Sequence, residues 1–372
     1  MISIILGTRP EIIKMAPVIR ACRKKGSKYS VLHTGQHYSY GMDRIFFEEL
    51  ELPLPDHNLD VGSGSHAEQT GRIMAGIERI LSADPPDIVL VQGDTNTVLA
   101  GALAAAKLHV PVGHVEAGLR SFDRRMPEEI NRVVADHISD HLFAPTRLAR
   151  KNLLHEGIDA KKIHVTGNTV VDAVFQNRKI AKKRTTVLHD MDLTPSHYFL
   201  VTAHRAENVD VKEHFTGIIT ALESLAESYG MPVIFPMHPR TRKMMETFTI
   251  PARGITIIQP AGYLDFLELE AQARLILTDS GGVQEEACIL NVPCVTLREN
   301  TERPETIDAG ANVLAGTDTE KIVQAAGTMM EAPRTWKNPF GDGKTAERIV
   351  RICDKVVKGN RRIRPCSIPP ES

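Results

Sequence analysis

Residues 2–14, which decide the fold, read ISIILGTRPEIIK. A short apolar run with β-forming residues ends at Gly7, and a helical segment follows it. Pro10 suits the first turn of that helix, because its missing N–H would have no partner there. This change from strand to helix through a glycine predicts the start of a βαβ unit.

The same alternation continues over nearly the whole chain. It predicts strands at 2–6, 29–33, 87–91, 111–115, 141–144 and 163–165, and after a polar interval at 198–202, 233–235, 256–258, 275–278 and 294–297. Amphipathic segments between the early strands predict helices at 11–24, 66–81, 96–107 and 128–138. The fold class expected is therefore α/β, with two Rossmann-like doubly wound domains.

Domain boundaries follow from where this series pauses. We expect an N-terminal Rossmann-like domain at 1–168, a linker region at 169–196 and a C-terminal Rossmann-like domain at 197–341. Residues 342–372 are expected to form a closing helix, at about 342–357, and a tail, which either belong to the C-terminal domain or pack back on the N-terminal domain. Ligands of open α/β sheets bind beyond the carboxyl ends of the strands, so two such domains predict a cleft between facing strand ends.

Composition narrows the class of protein. A hydrophobic content of 42% and a charged content of 24% are typical of a globular protein, and a net charge of -1 argues against a nucleic-acid binder. No apolar stretch approaches the ~20 residues of a membrane span. The N-terminal strand leaves no room for a signal peptide, and the five cysteines are scattered without a Cys-x-x-Cys pair. These features predict a reduced, cytoplasmic protein without a cysteine metal site.

Charged residues follow the strands of the first half. Arg9 and Lys14 lie near the start of the first helix, where they can face an anion; two solvated cations are the alternative. Asp94 and Glu116 come just after two strands, and Glu128 begins a helix. Each acid alone can be a helix cap or a salt-bridge partner. Three together predict a carboxylate cluster suited to proton transfer.

The second half supplies residues of a nucleotide site. His204 follows the first strand of this half, and the run Ser280-Gly281-Gly282 precedes a helix whose N-terminal amides can bind phosphate. Glu286, one turn into that helix, can accept hydrogen bonds from a ribose diol. Phe266 can lie against a base or fill the core, and Arg303 can neutralise a diphosphate or sit in a solvated loop. Neither Gly-x-Gly-x-x-Gly nor a P-loop sequence is present in these places, which disfavours a dinucleotide or P-loop site.

Taken in order, these motifs resemble those of a known family. The matching strings are GTRPEIIKMAPV (7–18), TGQH (34–37), VQGDT (91–95), HVEAGLR (114–120), PEEINR (127–132), VTAHRAEN (201–208), TDSGGVQEEA (278–287) and TERPE (301–305). They resemble the non-hydrolysing UDP-N-acetylglucosamine 2-epimerases, which share the two-domain GT-B fold. The segment Pro260-Ala261-Gly262-Tyr263 departs from some relatives, which carry Gln and an acid before the Tyr.

The resemblance implies roles for individual residues. UDP would be bound by Arg9, His204, Ser280, Gly281, Gly282, Glu286 and Arg303, with Phe266 near the uracil. The sugar would be surrounded by Lys14, Asp94, Glu116 and Glu128. The three acids and His204, at the departing UDP, make up the implied catalytic set. A second, activating UDP-GlcNAc would be held by Gln36, His37, Arg205 and His238.

The implied reaction interconverts UDP-GlcNAc and UDP-ManNAc, for surface polysaccharide or glycan synthesis. The family's route is elimination of UDP to 2-acetamidoglucal, followed by re-addition, and it requires neither a metal nor another cofactor. A homodimer is usual in the resembling family. The alternatives are a GT-B glycosyltransferase using UDP-GlcNAc, a hydrolysing epimerase that releases ManNAc, and a non-catalytic sugar-nucleotide sensor. No membrane or nucleic-acid partner is expected.

Overall fold

The computed structural model describes residues 1–35 and 40–363, which divide into two compact units. The first comprises Met1–Ala173 and the chain from Phe340 onward, and the second comprises Val174–Pro339. Each unit contains a parallel β-sheet with helices packed against it.

The first unit contains a seven-stranded sheet in the order β3-β2-β1-β4-β5-β6-β7. Its strands are β1 Ile2–Leu6, β2 Tyr29–His33, β3 His57–Asn58, β4 Ile88–Gln92, β5 Val112–Val115, β6 His141–Ala144 and β7 Ile163–Val165. Its helices are α1 Arg9–Lys25, α2 Tyr40–Glu49, α3 His66–Ala83, α4 Asn96–Lys107, α5 Pro127–Ile138, α6 Arg147–His155 and, at the end of the chain, α16 Thr345–Ile363. Helix α7, Thr169–Arg184, begins in this unit and continues into the second.

The second unit contains a six-stranded sheet in the order β10-β9-β8-β11-β12-β13. Its strands are β8 Phe199–Thr202, β9 Val233–Pro236, β10 Ile255–Ile258, β11 Leu275–Thr278, β12 Cys294–Thr296 and β13 Asn312–Leu314. Its further helices are α8 Val187–Asp190, α9 Ala206–Val209, α10 Lys212–Tyr229, α11 Pro239–Phe248, α12 Tyr263–Gln272, α13 Gly281–Leu290, α14 Pro304–Asp308 and α15 Thr319–Glu331.

Both sheets have the strand order of a doubly wound fold, so the predicted fold class is confirmed. The order reverses between β1 and β4 in the first sheet and between β8 and β11 in the second. The central strands are continuous apolar runs, since helices cover both faces of a parallel sheet. In β1 every residue is buried, and each fully buried Ile or Leu contributes about 1.5–3 kcal/mol to folding.

Local sequence explains how α1 begins and ends. Pro10 lies in its first turn, and Gly26 ends it with a φ of 70°, a left-handed conformation that glycine adopts readily. Gly7 precedes the helix where the chain passes closest to two hydroxyls. A Cβ built there would lie 2.2 Å from Thr34 Oγ1 and from Thr97 Oγ1, so only glycine fits. The segment that decides the fold therefore also brings the loop after β1 close to its neighbours.

The segment 169–196, expected to be a linker region, contains helices α7 and α8. Val170, Val171 and Val174 are buried on α7, and the unit boundary falls between Ala173 and Val174 inside this helix. The closing helix extends over Thr345–Ile363, beyond the expected end at 357, and packs against α1. Its contacts place it in the first unit.

Candidate functional site

The residues singled out from the sequence lie where each sheet reverses its strand order. In the first unit, Arg9 follows β1 and Asp94 follows β4, on the two sides of the reversal. In the second unit, His204 follows β8 and Ser280 follows β11 in the same way. Loops on the two sides of such a reversal diverge and leave a crevice at the carboxyl ends of the strands. Each unit therefore has a candidate binding crevice of its own.

Lys14 and Glu116 form an ion pair in the first unit. Lys14 Nζ lies 2.8 Å from Glu116 Oε1 and 2.9 Å from Oε2, and the carboxylate side chain is only 4% exposed. Gln92, the last residue of β4, donates a hydrogen bond to Oε2, and Asn168 Nδ2 lies 3.3 Å from Oε1. These donors fix the carboxylate in one orientation, as a group that exchanges a proton with substrate requires.

The backbone of Glu116 is also unusual. Its φ is 72°, in the left-handed region that non-glycine residues rarely occupy, directly after β5. Such a conformation costs on the order of 1 kcal/mol or more and is concentrated at functional sites. Gly93 precedes Asp94 nearby: a Cβ built on it would lie 3.8 Å from Glu116 Oε2. The first unit therefore brings the Glu116 carboxylate to the turn that carries Asp94.

Asp94 is held by residues of α5. The guanidinium of Arg132 donates to its carboxylate, and Asn131 Nδ2 donates to its carbonyl oxygen at 2.9 Å. Arg132 Nη1 also contacts Glu129 Oε2 at 2.9 Å. The Glu129 carboxylate in turn accepts hydrogen bonds at 3.0 Å from the backbone N–H groups of residues 121 and 122. Helix α5 thus fixes both the Asp94 turn and the loop before the helix.

Glu128 has a different environment from its neighbour Glu129. It lies in the first turn of α5 and is exposed, whereas Glu129 is 3% exposed. Of the three predicted acids, Glu116 and Asp94 are held by side chains of the first unit, and Glu128 presents its carboxylate at the surface of that unit. Arg9 lies with its guanidinium carbon 5.8 Å from the centroid of the Phe46 ring.

A buried histidine lies beneath these residues. His114, on β5, has Nδ1 2.7 Å from Asp136 Oδ1 and Nε2 2.8 Å from the carbonyl oxygen of Gly93. Burial opposes its charge, but the Asp136 carboxylate outweighs this and raises the pKa of His114 above the ordinary value. Arg120 also pairs with Asp136, at 2.8 Å. The ring therefore connects a buried ion pair to the backbone just before Asp94.

In the second unit three of the residues expected at the nucleotide line one cavity of about 430 Å³. His204, Phe266 and Ser280 all lie on it, as do His238 and Arg240. His238 was expected at an activator site, and within this unit it borders the same cavity as the residues expected to bind UDP. Arg205 follows His204 and donates from Nε to the Asp279 carbonyl oxygen at 3.0 Å.

Asp279 organises the loop after β8. Its Oδ2 accepts hydrogen bonds at 2.9 Å from the backbone N–H groups of His204 and Arg205, and Asn208 Nδ2 donates to the same oxygen at 3.1 Å. Its Oδ1 lies 3.0 Å from His204 Nδ1. Burial opposes ionisation, but His204 and these amides hold the pKa of Asp279 below its usual range. The ionised carboxylate thus fixes the His204 ring beside the cavity.

Ser280, Gly281 and Gly282 form the start of α13 after β11. The Ser280 side chain makes no capping hydrogen bond to this helix, so its hydroxyl does not occupy the N-terminal amides. The nearest atoms to a Cβ built on Gly281 or Gly282 are 3.8 Å away, which is ordinary contact. Packing within the chain therefore does not require these glycines, and their lack of side chains leaves the amides accessible to an anion.

Glu286 lies one turn further along α13, among acidic and phenolic groups. Tyr263 OH lies 3.5 Å from Glu286 Oε1. Burial, and then the charge of Glu286, raise the pKa of Glu270 well above its ordinary value. Burial and Glu286 raise the pKa of Tyr263 as well. Glu286 is the least buried of the acids here and the one suited to accept hydrogen bonds from a diol.

Arg303 is anchored close to the same helix. Its Nε lies 2.8 Å from Glu285 Oε1, and its side chain is 14% exposed. From the sequence, this residue could either bind a diphosphate or lie in a solvated loop. In the structure it forms an ion pair with a buried carboxylate. Gln36 and His37, expected at an activator site, lie outside the described residues.

Several residues of these sites were not among the predicted ones. They are Glu11, Gln92, His114, Arg132 and Asn168 in the first unit and Asn208 and Arg240 in the second. Gln92 and Asn168 stand next to strand ends or motif residues and could have been found there. Arg132 lies in the PEEINR string, but its contact with Asp94 spans 38 positions and could not be predicted from sequence spacing.

Within residues 1–35 and 40–363, no group of three or more His, Cys, Asp or Glu side chains is arranged to hold a metal ion. Over the same residues, no helix combines the length and the apolar character needed to cross a membrane.

Comparison with known proteins identifies the family of this chain. The family model described as UDP-N-acetylglucosamine 2-epimerase matches residues 20–354. The chain belongs to this family. It is therefore an epimerase, an enzyme of the isomerase class, and the resemblance read from its motifs is confirmed at the level of the family.

Individual family members are similar over nearly their whole length. A UDP-N-acetylglucosamine 2-epimerase of Methanocaldococcus jannaschii is 58% identical over 358 residues, which cover 94% of this chain and 98% of the relative. A crystal structure of the M. jannaschii enzyme in complex with UDP-GlcNAc and UDP has a TM-score of 0.86 and 58% identity, covering 95% of this chain and 99% of that one. A UDP-2,3-diacetamido-2,3-dideoxy-D-glucuronate 2-epimerase of Pseudomonas aeruginosa is 42% identical, over 95% of this chain and 99% of the relative.

Proposed function

We propose that the chain is a non-hydrolysing UDP-GlcNAc 2-epimerase that interconverts UDP-GlcNAc and UDP-ManNAc. The observation that carries this proposal is the pair of oriented carboxylates, Asp94 and Glu116, at the ends of adjacent strands β4 and β5. Inversion at C2 requires a proton to leave one face and return to the other, which favours two separate acid/base groups. The relatives that act on or bind UDP-GlcNAc supply the identity of the substrate.

The route follows from the acidity of the C2 proton. That proton has no adjacent carbonyl, so its direct removal would leave an unstabilised carbanion. Departure of UDP from C1 gives C1 oxocarbenium character and acidifies the C2 hydrogen. Breaking of the C1–O bond and loss of the C2 proton then yield 2-acetamidoglucal and UDP. Re-addition of UDP at C1, with protonation of C2 on the other face, completes the inversion.

The residues of the second unit have the properties needed to hold the departing UDP. The N-terminal amides of α13 and the His204 ring, fixed by Asp279, are preorganised donors for the diphosphate. Glu286 would accept hydrogen bonds from the ribose, and Phe266 lines the cavity where a base can pack. Arg9 and Arg303 would supply charge to the diphosphate.

In the first unit, Lys14 pairs with the Glu116 carboxylate and Arg132 pairs with the Asp94 carboxylate, so a cation holds each proposed acid/base group in place. Glu128, exposed at the start of α5, is the third candidate for a group at the sugar. The side chains that orient the two held acids come from other elements of the unit, so their geometry does not depend on the substrate.

The decisive experiment is exchange of the C2 hydrogen with solvent. When UDP-GlcNAc is incubated with the enzyme in heavy water, the sugar nucleotide recovered should carry deuterium at C2. UDP-ManNAc should accumulate with its diphosphate intact. Free ManNAc plus UDP would instead indicate a hydrolysing epimerase, and transfer of the sugar to an acceptor would indicate a glycosyltransferase. Tight binding of UDP-GlcNAc without incorporation of deuterium at C2 would indicate a non-catalytic sugar-nucleotide sensor. The diacetamido-glucuronate nucleotide of the Pseudomonas relative is the matched competing substrate.

The proposal also includes a cytoplasmic homodimer, activation by a second UDP-GlcNAc, and supply of UDP-ManNAc to glycan synthesis. Arg205 and His238 are the described residues of the activator set. A sigmoidal dependence of rate on UDP-GlcNAc that becomes hyperbolic in Gln36→Ala would support activation. Sedimentation of the purified chain tests the dimer.

A further inference from the structure

We propose that Glu11 is a positioning residue that joins the loop carrying Arg9 to the turn carrying Asp94. The inference rests on the proposed function, because it concerns the geometry of the C2 reaction. Glu11 is buried, and it would act through the backbone and side chains of its neighbours.

The contacts of Glu11 come from both sides of the strand-order reversal. Its Oε2 accepts the backbone N–H of Gly7 at 2.6 Å and that of Thr8 at 2.8 Å, both in the loop after β1. Its Oε1 accepts the hydroxyl of Thr95 at 2.5 Å, from the turn after β4. One carboxyl group therefore connects the residue before Arg9 to the residue after Asp94.

A capping role alone does not account for this arrangement. Thr8 and Glu11 have the spacing of a capping box, in which the acid bonds only to its own helix start. The chain contains such a box at α3, where Glu68 contacts Ser65 and is exposed to solvent. Glu11, in contrast, is 3% exposed and adds a partner from another loop. Burying a carboxyl group is costly, so its retention here points to a role in positioning.

The second unit has an equivalent carboxylate. Asp279 accepts the two consecutive N–H groups of His204 and Arg205 after β8, and it belongs to the loop after β11. Glu11 and Asp279 thus each connect the loops on the two sides of a reversal, and each accepts hydrogen bonds from two consecutive backbone amides. In the first unit the loops connected in this way carry Arg9, a proposed UDP-binding residue, and Asp94, a proposed acid/base group.

The contacts of Glu11 are compatible with a neutral carboxyl group as well as with a carboxylate. Burial raises the pKa of Glu11 to about 7 against the opposing effect of its hydrogen bonds. When protonated at Oε1, the group can donate to Thr95 Oγ1 while Oε2 still accepts from the two amides. Glutamine has the same donor and acceptor pattern, so Glu11→Gln should preserve the connection, whereas Glu11→Met, of similar size, should remove it.

The test separates loss of the connection from loss of a helix cap. Thr95→Val removes the hydroxyl that contacts Glu11 and also the cap of α4, and Thr95→Ser restores both. Thr146→Val is the matched control, because Thr146 caps α6 in the same unit through the N–H of Ala149 at 3.1 Å. Rates of C2 deuterium exchange, UDP affinity and melting temperature are measured for all variants and for the wild type.

We expect kcat for C2 exchange to fall about 30-fold or more in Thr95→Val and in Glu11→Met, with UDP affinity changed less than kcat, since small misplacements of reacting groups cost up to about 100-fold. Thr95→Ser, Glu11→Gln and Thr146→Val should stay within about threefold of wild type. Equal kcat in Thr95→Val and Thr146→Val would overturn the inference, as would a Glu11→Gln enzyme that folds but is inactive. If Glu11→Met fails to fold, the threonine series decides. A wild-type enzyme without C2 exchange would overturn the proposed function, and the role of Glu11 with it.

Discussion

Lys14 Nζ lies 2.8 Å from Glu116 Oε1, and the two residues are 102 positions apart in the chain. The pair is largely buried, with side-chain exposures of 16% and 4%. Removal of one partner of such a pair leaves an uncompensated charge, and this commonly costs about 3–5 kcal/mol. The pair is therefore expected to affect both the stability of the first unit and the orientation of a proposed catalytic group.

A double-mutant cycle tests this relationship. Lys14→Met and Glu116→Gln should each lower kcat for C2 exchange by about 100-fold or more. The kcat of the double variant should be no lower than that of the less active single variant. The exposed pair Lys24–Glu347, at 3.2 Å, is the control. Its cycle should give a coupling energy below about 1 kcal/mol. Additive effects at Lys14 and Glu116 would contradict a shared function.

Asp94→Asn should abolish C2 exchange while the protein stays folded. Asparagine keeps an oxygen that can accept from Arg132, so the turn should survive, but it cannot take up a proton at neutral pH. We expect kcat, measured by C2 exchange kinetics, to fall by about 100-fold or more. UDP affinity, measured by calorimetry, should be nearly unchanged. Asp123→Asn, at a half-buried aspartate paired with Arg125 at 2.7 Å, should leave kcat unchanged.

Asp279→Asn should weaken UDP binding. The replaced oxygen would present an amide N–H to the N–H groups of His204 and Arg205, which now donate to Asp279 at 2.9 Å. Losing these charge-assisted bonds is expected to cost about 1.5–3 kcal/mol and to raise the Kd for UDP by about 10-fold or more. Asp190→Asn, at an exposed aspartate of the same unit, is the control. An unchanged Kd would show that the loop keeps its shape without this carboxylate.

Gly282→Ala should stabilise the fold and still impair binding. A Cβ at this position meets no atom closer than 3.8 Å, and alanine exceeds glycine in helix propensity by about 1 kcal/mol. The added methyl group would, however, lie where the proposed diphosphate approaches the amides of α13. We expect an equal or higher melting temperature and about 10-fold weaker UDP binding. Gly71→Ala, on an exposed part of α3, should stabilise without changing the Kd.

The buried Glu11 should make stability depend on pH in a defined direction. Its pKa is about 7 in the folded chain, against 4.5 for the unperturbed group. The folded state therefore favours the protonated form: the contribution is full below pH 4.5 and is lost as the pH rises through about 7. The shift corresponds to on the order of 3 kcal/mol. Between pH 5 and pH 8 the melting temperature of Glu11→Gln should rise by several degrees relative to wild type; a constant difference would contradict the shift.

Much of the fold was predictable because its strands are local features. A buried parallel strand is a short apolar run, and β1, β2, β6 and β7 have the bounds that the sequence indicated. Strands β3 and β13 were missed; β3, with only two residues, is too short to show a period. The 169–196 segment was interpreted as a linker because its second half is polar and shows no clear helical period, so the apolar face of α7 was not recognised.

The site divides in the same way. The sequence by itself determined which residues stand at strand ends, because strand, glycine and helix signals lie within a few positions of each other. It therefore placed Arg9, Asp94, Glu116, His204 and Ser280 correctly at the carboxyl ends of strands. Only the tertiary structure decided their partners: Lys14 with Glu116, Arg132 with Asp94, and Glu11 with Thr95. Such pairs depend on the order of strands in the sheet and on which side chains become buried when the chain folds. Neither property is encoded in neighbouring residues.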